Sequence, residues 1–144
     1  MRLSRKGRYG VRAMVALAME SDGSPVSIRR IAAGESIPVP FLQQLFLRLR
    51  KAGLVKSVRG PGGGFTLTKA PERVRVLDIL EAVGEGVDLS ECATGEGDGG
   101  KCGLVNQCAS RLLWQKLEDT VRSVLGGTTL AELCKKKKGL RLKK

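Results

Sequence analysis

Leu54-Val-Lys-Ser-Val-Arg-Gly-Pro-Gly-Gly-Gly-Phe-Thr-Leu-Thr68 is the stretch on which the fold turns. Its two ends, residues 54–58 and 65–68, are short runs rich in β-branched and aromatic side chains, and the six residues between them include four glycines and a proline. That composition predicts two strands joined in a hairpin with a glycine tip and an arginine, Arg59, at its entry. A phosphate-cradling loop is the competing reading of Gly60 and Gly62 to Gly64. It lacks the Lys-Ser/Thr ending, and a strand rather than a helix follows.

Three helices precede the hairpin. Pro38 and Pro40 suit the first turn of a helix, where a missing N–H has no partner to lose. Phe41, Leu42, Leu45, Phe46 and Leu49 give that helix an apolar face, and Gly53 ends it. Before it, Ser27 caps a short helix over 28–33 that Gly34 closes. Before that, Ser4 caps a helix running to about Ser21, with Tyr9, Val11, Met14, Val15 and Ala18 on one side and Arg5, Arg8 and Arg12 on another. Three helices followed by a basic β-ribbon make a winged helix-turn-helix, whose third helix enters the major groove while the wing touches the backbone or minor groove.

Beyond the hairpin, Pro71 marks a boundary and residues 76–83 predict a short helix stopped by Gly84. The longest helix is expected over 105–125, where Trp114, Leu117, Val121 and Val124 step by three, four and three residues. Such a seam can pack on the helix's own domain, but DNA-reading modules commonly dimerise to span two half-sites, and pairing with a second copy is expected here. Thr129-Leu-Ala-Glu132 is a capping box opening a last turn, and residues 134–144 are expected to be a basic disordered tail. The fold class is mostly α with a small β-hairpin. Its expected plan is a winged helix-turn-helix over 1–70, a connecting helix and linker over 71–91, a cysteine loop over 92–108, a dimerisation helix with its terminal turn over 105–133, and the tail.

The net charge of +12 over 144 residues is unevenly placed. Residues 1–75 carry fifteen Lys/Arg against four Asp/Glu, residues 76–134 carry four against ten, and residues 135–144 carry seven and no acid. The front uses eleven arginines to four lysines, and arginine's planar fork suits phosphates and guanines, so a nucleic-acid partner is expected rather than a merely solvated surface. The basic residues 1–12 and the apolar run Ala13-Met-Val-Ala-Leu-Ala-Met19 imitate a signal peptide. Seven apolar residues are at the short limit for such a region and far below a membrane span, so a cytoplasmic protein with no membrane partner is expected.

Cys92, Cys102 and Cys108 fall within seventeen residues, and the intervening stretch 93–101 has little side-chain bulk. Ordering so many glycines costs entropy that a bound metal or iron–sulfur cluster would offset. Thiols in such a loop fit a reducing compartment better than a disulfide framework. With no histidine in the chain, no nucleophile-and-base pair can be drawn, so an enzyme is not expected.

The segments Ser4-Arg-Lys-Gly-Arg-Tyr9, Phe41-Leu-Gln-Gln-Leu-Phe46, Leu49-Arg-Lys-Ala-Gly-Leu-Val55 and Ser57-Val-Arg-Gly-Pro-Gly-Gly-Gly-Phe65 resemble the Rrf-type family of bacterial winged-helix regulators. The resemblance covers residues 1 to about 133. It implies a homodimer on a pseudo-palindromic double-stranded DNA operator and, as in many members, a [2Fe-2S] or [4Fe-4S] cluster on Cys92, Cys102 and Cys108. Thiolates are the usual ligands of such iron, and a helix N-terminus near Cys108 favours its ionised form.

The chain also departs from the family's iron–sulfur members. They complete the site with a histidine where Arg111 stands, or in some cases with an aspartate where Arg8 stands, so the fourth ligand is open among Glu91, Glu96, Asp98, Cys134 and a small exogenous ligand. By the same resemblance Gln43, Gln44 and Arg59 occupy base- and groove-reading positions, with Arg48, Arg50, Lys51, Gly60, Arg2 and Arg5 as further expected DNA contacts. Gln43 stands for a glutamate and Pro38 and Pro40 for serines, which should alter the preferred operator. The expected function is a regulator, acting as a repressor, whose operator binding follows a cluster that senses redox state, oxygen, nitric oxide or cluster supply. A thiol-redox switch and an architectural DNA-binding protein with structural zinc are the alternatives.

Overall fold

A computed structural model describes residues 2–90, 92, 102–104 and 106–143. Expectations on Glu91, Glu96 and Asp98 fall outside the described residues, whereas the long helix expected from about Val105 begins only at Ala109, after a turn at 106–107 and the N-cap Cys108. Helices α1 (Arg5–Glu20), α2 (Ile28–Glu35) and α3 (Val39–Lys51) lead into strands β1 (Val55–Val58) and β2 (Gly64–Leu67). A 3-10 turn (Pro71–Arg73), α4 (Val76–Ala82), α5 (Ala109–Gly127) and α6 (Leu130–Leu142) follow.

Local chemistry sets most boundaries. The Ser4 hydroxyl accepts from the Gly7 N–H at the start of α1, Ser27 accepts from Arg30 at α2, and Thr129 accepts from Glu132 at α6, each satisfying a donor that the first helical turn leaves orphaned. Pro38 and Pro40 sit in the opening turn of α3 as expected. Helix α2 runs past Gly34 and stops at Ser36, which takes the left-handed conformation at φ +52°. The stop falls there because the next residue, Ile37, is 3 % exposed and must turn into the core.

The hairpin pairs Val55 with Leu67, Lys56 with Thr66, Ser57 with Phe65 and Val58 with Gly64. Val26 joins as a single-residue third strand, exchanging backbone hydrogen bonds of 2.9 and 2.8 Å with Phe65. Two glycines of the wing answer to this geometry. Gly60 holds φ +105°, and a Cβ at Gly64 would lie 2.3 Å from the Val26 carbonyl oxygen. Only a glycine fits either position without strain.

Helix α1 is more deeply placed than its periodicity suggests. Ala13 to Leu17 are all buried, because α1 packs against α2, α3, α4, β2 and also α6. The core passes beyond the hairpin, with Val74, Ile79, Val83 and Leu130 in the same buried cluster as Met14, Leu42 and Phe46. Helix α6 is tied in through the bonds Val76 N to Thr128 O at 2.9 Å and Leu130 N to Val74 O at 2.8 Å.

The structure corrects two further expectations. Residues 134–142, read as a disordered tail, continue α6. The reason is a docked stripe that the run of lysines concealed: Leu130 is fully buried, Leu133 and Cys134 pack on the core, and Lys137 pairs with Glu35 of α2. The second correction concerns the seam on α5. Val121 turns inward and lines a depression with Leu3, Val87, Leu89 and Leu125, whereas Leu113, Leu117 and Val124 are exposed. The outward row is therefore Leu113, Leu117, Thr120 and Val124, spaced four, three and four, with Trp114 on its border.

Candidate DNA-reading face and cysteine site

Leu42, Leu45, Phe46 and Leu49 take the buried side of α3, which turns Gln43, Gln44, Leu47, Arg50 and Lys51 outward. Arg59 and Gly60 are exposed at the wing entry, and Arg2 and Arg5 are exposed at the other end of the chain. The wing is held against α3 by Phe65 packed at a tilt of 57° on Phe46, ring centroids 4.8 Å apart. Arg48 has a structural duty as well: its guanidinium donates to the Val83 carbonyl at 3.2 Å, closing the C-terminus of α4. Arg2 lies along the depression formed with residues 85–89 and α5 rather than beside the wing.

A latch of long sequence separation, not legible in the sequence, joins this face to the segment that leads to the cysteines. Lys6 Nζ donates to the Gly84 carbonyl at 2.8 Å. The Glu85 carboxylate accepts from the Ser4 N–H at 2.9 Å and from the Ser4 hydroxyl. The Ser4 hydroxyl, then the Ser4 N–H, hold the Glu85 carboxyl below the usual glutamate range. Helix α1 can come this close because Gly7 and Gly10 face Glu85 and Val83, where an added Cβ would meet side-chain carbons at 3.0 and 3.1 Å.

The cysteine segment is anchored at the start of α5. Cys108 is its N-cap residue. The Ser110 hydroxyl lies 3.1 Å from Cys108 Sγ and, with the Arg111 backbone N–H, holds that thiol below its usual range. Arg111 Nε donates to the Cys92 carbonyl at 2.9 Å, tying the first cysteine to the helix turn that follows the third. Cys102 is exposed and Ser90 Oγ lies 3.3 Å from Cys92 Sγ. Among the described residues no group of three His, Cys, Asp or Glu side chains is closed tightly enough to hold a lone metal ion. Three thiols, one of them predisposed to ionise, are nevertheless a donor set that fits an iron–sulfur cluster.

Cys134 belongs elsewhere. It sits on α6 with its Sγ 4.0 Å from the Val15 carbonyl, and burial pushes its thiol up. Cys108 and Thr128 cap opposite ends of the 19-residue α5, which at about 1.5 Å per residue is on the order of 30 Å long. Cys134 follows the far end, so it cannot join Cys108 within one chain, and the four-thiolate site that would best suit zinc loses its fourth ligand. Arg122 fastens α5 to the rest, reaching Glu118 and Glu81 at 3.4 Å and Asp88 at 3.3 Å.

With this geometry in hand, the chain matches, over residues 3–136, the family described as Rrf2, "Iron-dependent Transcriptional regulator". The chain belongs to the Rrf2 family. It is 43 % identical over 135 residues to the HTH-type transcriptional regulator IscR of Xenorhabdus nematophila, covering 94 % of this chain and 80 % of that protein. It is 44 % identical over 133 residues to IscR of Yersinia pseudotuberculosis, covering 92 % and 79 %. Among solved structures, IscR of T. potens superposes with TM-score 0.76 at 36 % identity, covering 95 % of this chain and 88 % of that one. CymR, the global cysteine regulator of B. subtilis, gives 0.75 at 32 % identity, covering 94 % and 97 %.

This Rrf2 chain is thus a winged-helix, DNA-binding transcriptional regulator, and its relatives are regulators rather than enzymes. No helix among the described residues is long and apolar enough to cross a membrane.

Proposed function

We propose that this regulator is a homodimeric repressor in the cytoplasm that binds a pseudo-palindromic operator and whose affinity is set by an iron–sulfur cluster on Cys92, Cys102 and Cys108. The observation that carries the reading is the Arg111 bridge, in which the turn that follows Cys108 bonds the Cys92 backbone carbonyl, while α4 and the Glu85 latch connect the same segment to the DNA-reading face. When bound, the cluster would supply an iron site with one ligand weaker than thiolate, open to oxygen, nitric oxide or loss.

The protein's own residues do the rest. Ser110 and the first turn of α5 lower the pKa of the Cys108 thiol, Arg111 ties the Cys92 carbonyl to α5, and Glu85 with Ser4 and Lys6 fixes α1 to residues 84–85. A change at the cysteines can alter DNA affinity only to the extent that the two states differ in free energy on DNA. Gln43, Gln44, Arg50 and Lys51 on α3 and Arg59 and Gly60 on the wing form the reading surface. Arg2, Arg5 and, where it leaves Val83, Arg48 extend it. Dimerisation through Leu113, Leu117 and Val124 would cover the exposed row of α5.

Anaerobic purification tests the proposal. A brown protein with iron and acid-labile sulfide is expected. Replacing Cys92, Cys102 or Cys108 with Ala should remove the colour and Cys134→Ala should keep it, whereas a colourless protein with stoichiometric zinc would refute the cluster. A thiol-redox switch is favoured by one observation, the lowered pKa of Cys108. It predicts instead that peroxide alone, with no iron present, changes DNA affinity.

A further inference from the structure

We infer that the exposed cationic side of α6 is a second surface for DNA phosphates, continuing from the wing and separate from the α3 face. The inference rests on the DNA-binding reading above.

Helix α6 is held rigidly by one side only, through Leu130, Leu133, Cys134 and the Lys137–Glu35 pair. Lys135, Lys136, Lys138, Arg141 and Lys143 are exposed, and none of them has a carboxylate partner among the described residues. Like charges at i,i+3, Lys135 with Lys138 and Lys138 with Arg141, disfavour the helix, and the helix C-terminal dipole offsets this locally. A polyanion would neutralise them and release its own counterions.

Position selects duplex DNA as that polyanion. Two surface depressions meet along Ala18, Ser21 and Pro71: one runs to the wing strands and is edged by Lys56 and Lys69, and the other is edged by Lys135 and Lys138. Glu72 is the one acidic residue lining either of them. The cations of α6 therefore extend a basic band that begins on the wing. A membrane or a partner helix is a poorer fit, because Leu140 and Leu142 are two residues apart, lie on opposite sides of the helix and form no apolar stripe.

Fluorescence anisotropy on a random-sequence duplex of about 40 base pairs, titrated at several salt concentrations, tests the surface, because each phosphate contact contributes about 0.9 to the slope of log affinity against log salt. The combined variant Lys135→Gln/Lys138→Gln/Arg141→Gln keeps helix-forming side chains. It should bind roughly 10-fold or more weakly at moderate salt, with a slope shallower by about 2. Arg59→Ala should weaken binding separately, and the two losses should add. Thermal melts of the triple variant establish that it is folded; if it is not, Lys138→Glu alone should still weaken duplex binding.

Unchanged affinity and slope in the triple variant, beside a weakened Arg59→Ala, would overturn the second surface and leave the DNA reading intact. A wild type that binds no duplex at all would sink both. Loss of binding to single-stranded RNA with none to the duplex would overturn the inference in favour of a different polyanion.

Discussion

Met14, Leu17, Ile31, Leu42, Phe46 and Leu49 of the winged head are completely buried, whereas Leu112, Leu113 and Val124 of α5 are each more than half exposed. The head's core is closed within one chain, with Val74, Ile79, Val83 and Leu130 joining it, while the outer row of α5 stays exposed. Covering each of those side chains would contribute about 1.5–3 kcal/mol, and no described residue of the chain does so. The head also caps its helices with Ser4 and Ser27, while α5 opens on Cys108, a residue whose chemistry suits a ligand better than a cap. The DNA-reading half buries its apolar side chains within one chain, whereas α5 leaves an apolar row exposed, which a second copy would cover on the proposed reading.

The largest expected effect breaks the self-sufficient half. Phe46→Ala removes a fully buried ring packed against Phe65 and should cost about 3–5 kcal/mol, read as a drop in denaturation midpoint with loss of the wing's alignment. A loss under 1 kcal/mol would show that the head is not held by this contact.

Next in size, Leu117→Asp strikes the exposed row. It should leave the secondary structure of the head unchanged and weaken self-association by several kcal/mol, since a charge would be buried without a partner. Sedimentation checks it: a wild type that is monomeric at micromolar concentration would remove the basis of the comparison. Val121→Asp sharpens the contrast, because Val121 faces its own chain and should destabilise the monomer as well.

The smallest effect belongs to the latch between the halves. Ser4→Ala should cost about 1 kcal/mol through the lost cap and the lost Glu85 contact. The pH dependence has a definite sign. The folded-state pKa of Glu85 is depressed, so its contribution is fully present above the ordinary glutamate pKa and is lost as pH falls through the folded value. The gap in melting temperature between wild type and Glu85→Gln should therefore narrow on acidification; a gap that widens would show the carboxylate to be unfavourable where it stands.

Residue chemistry made the head legible from the sequence alone. Ser4, Ser27, Pro38, Gly53 and the wing glycines are local signals, and the elements fall within a residue or two of the expected bounds. Legibility ended wherever position depends on partners distant in the chain. The turn of α2 at Ser36 answers to the burial of Ile37, the inward rotation of Val121 answers to Val87 and Leu89, and the order of α6 answers to Glu35 and Val15. The cysteines were visible as a donor set, yet Ser110 and Arg111, which poise and tether them, gave no local pattern. Glu85, 81 residues from Ser4, gave none either.

The central claim, that the state of the cysteine site sets DNA affinity, is tested most directly by measuring binding of one duplex operator, selected from random sequence with the wild-type protein, by anaerobically isolated wild type and by Cys108→Ala at the same salt concentration. Visible absorbance and bound iron are expected in the wild type only, with operator affinities differing at least several-fold. Equal affinities of a cluster-bearing wild type and a cluster-free variant would contradict it.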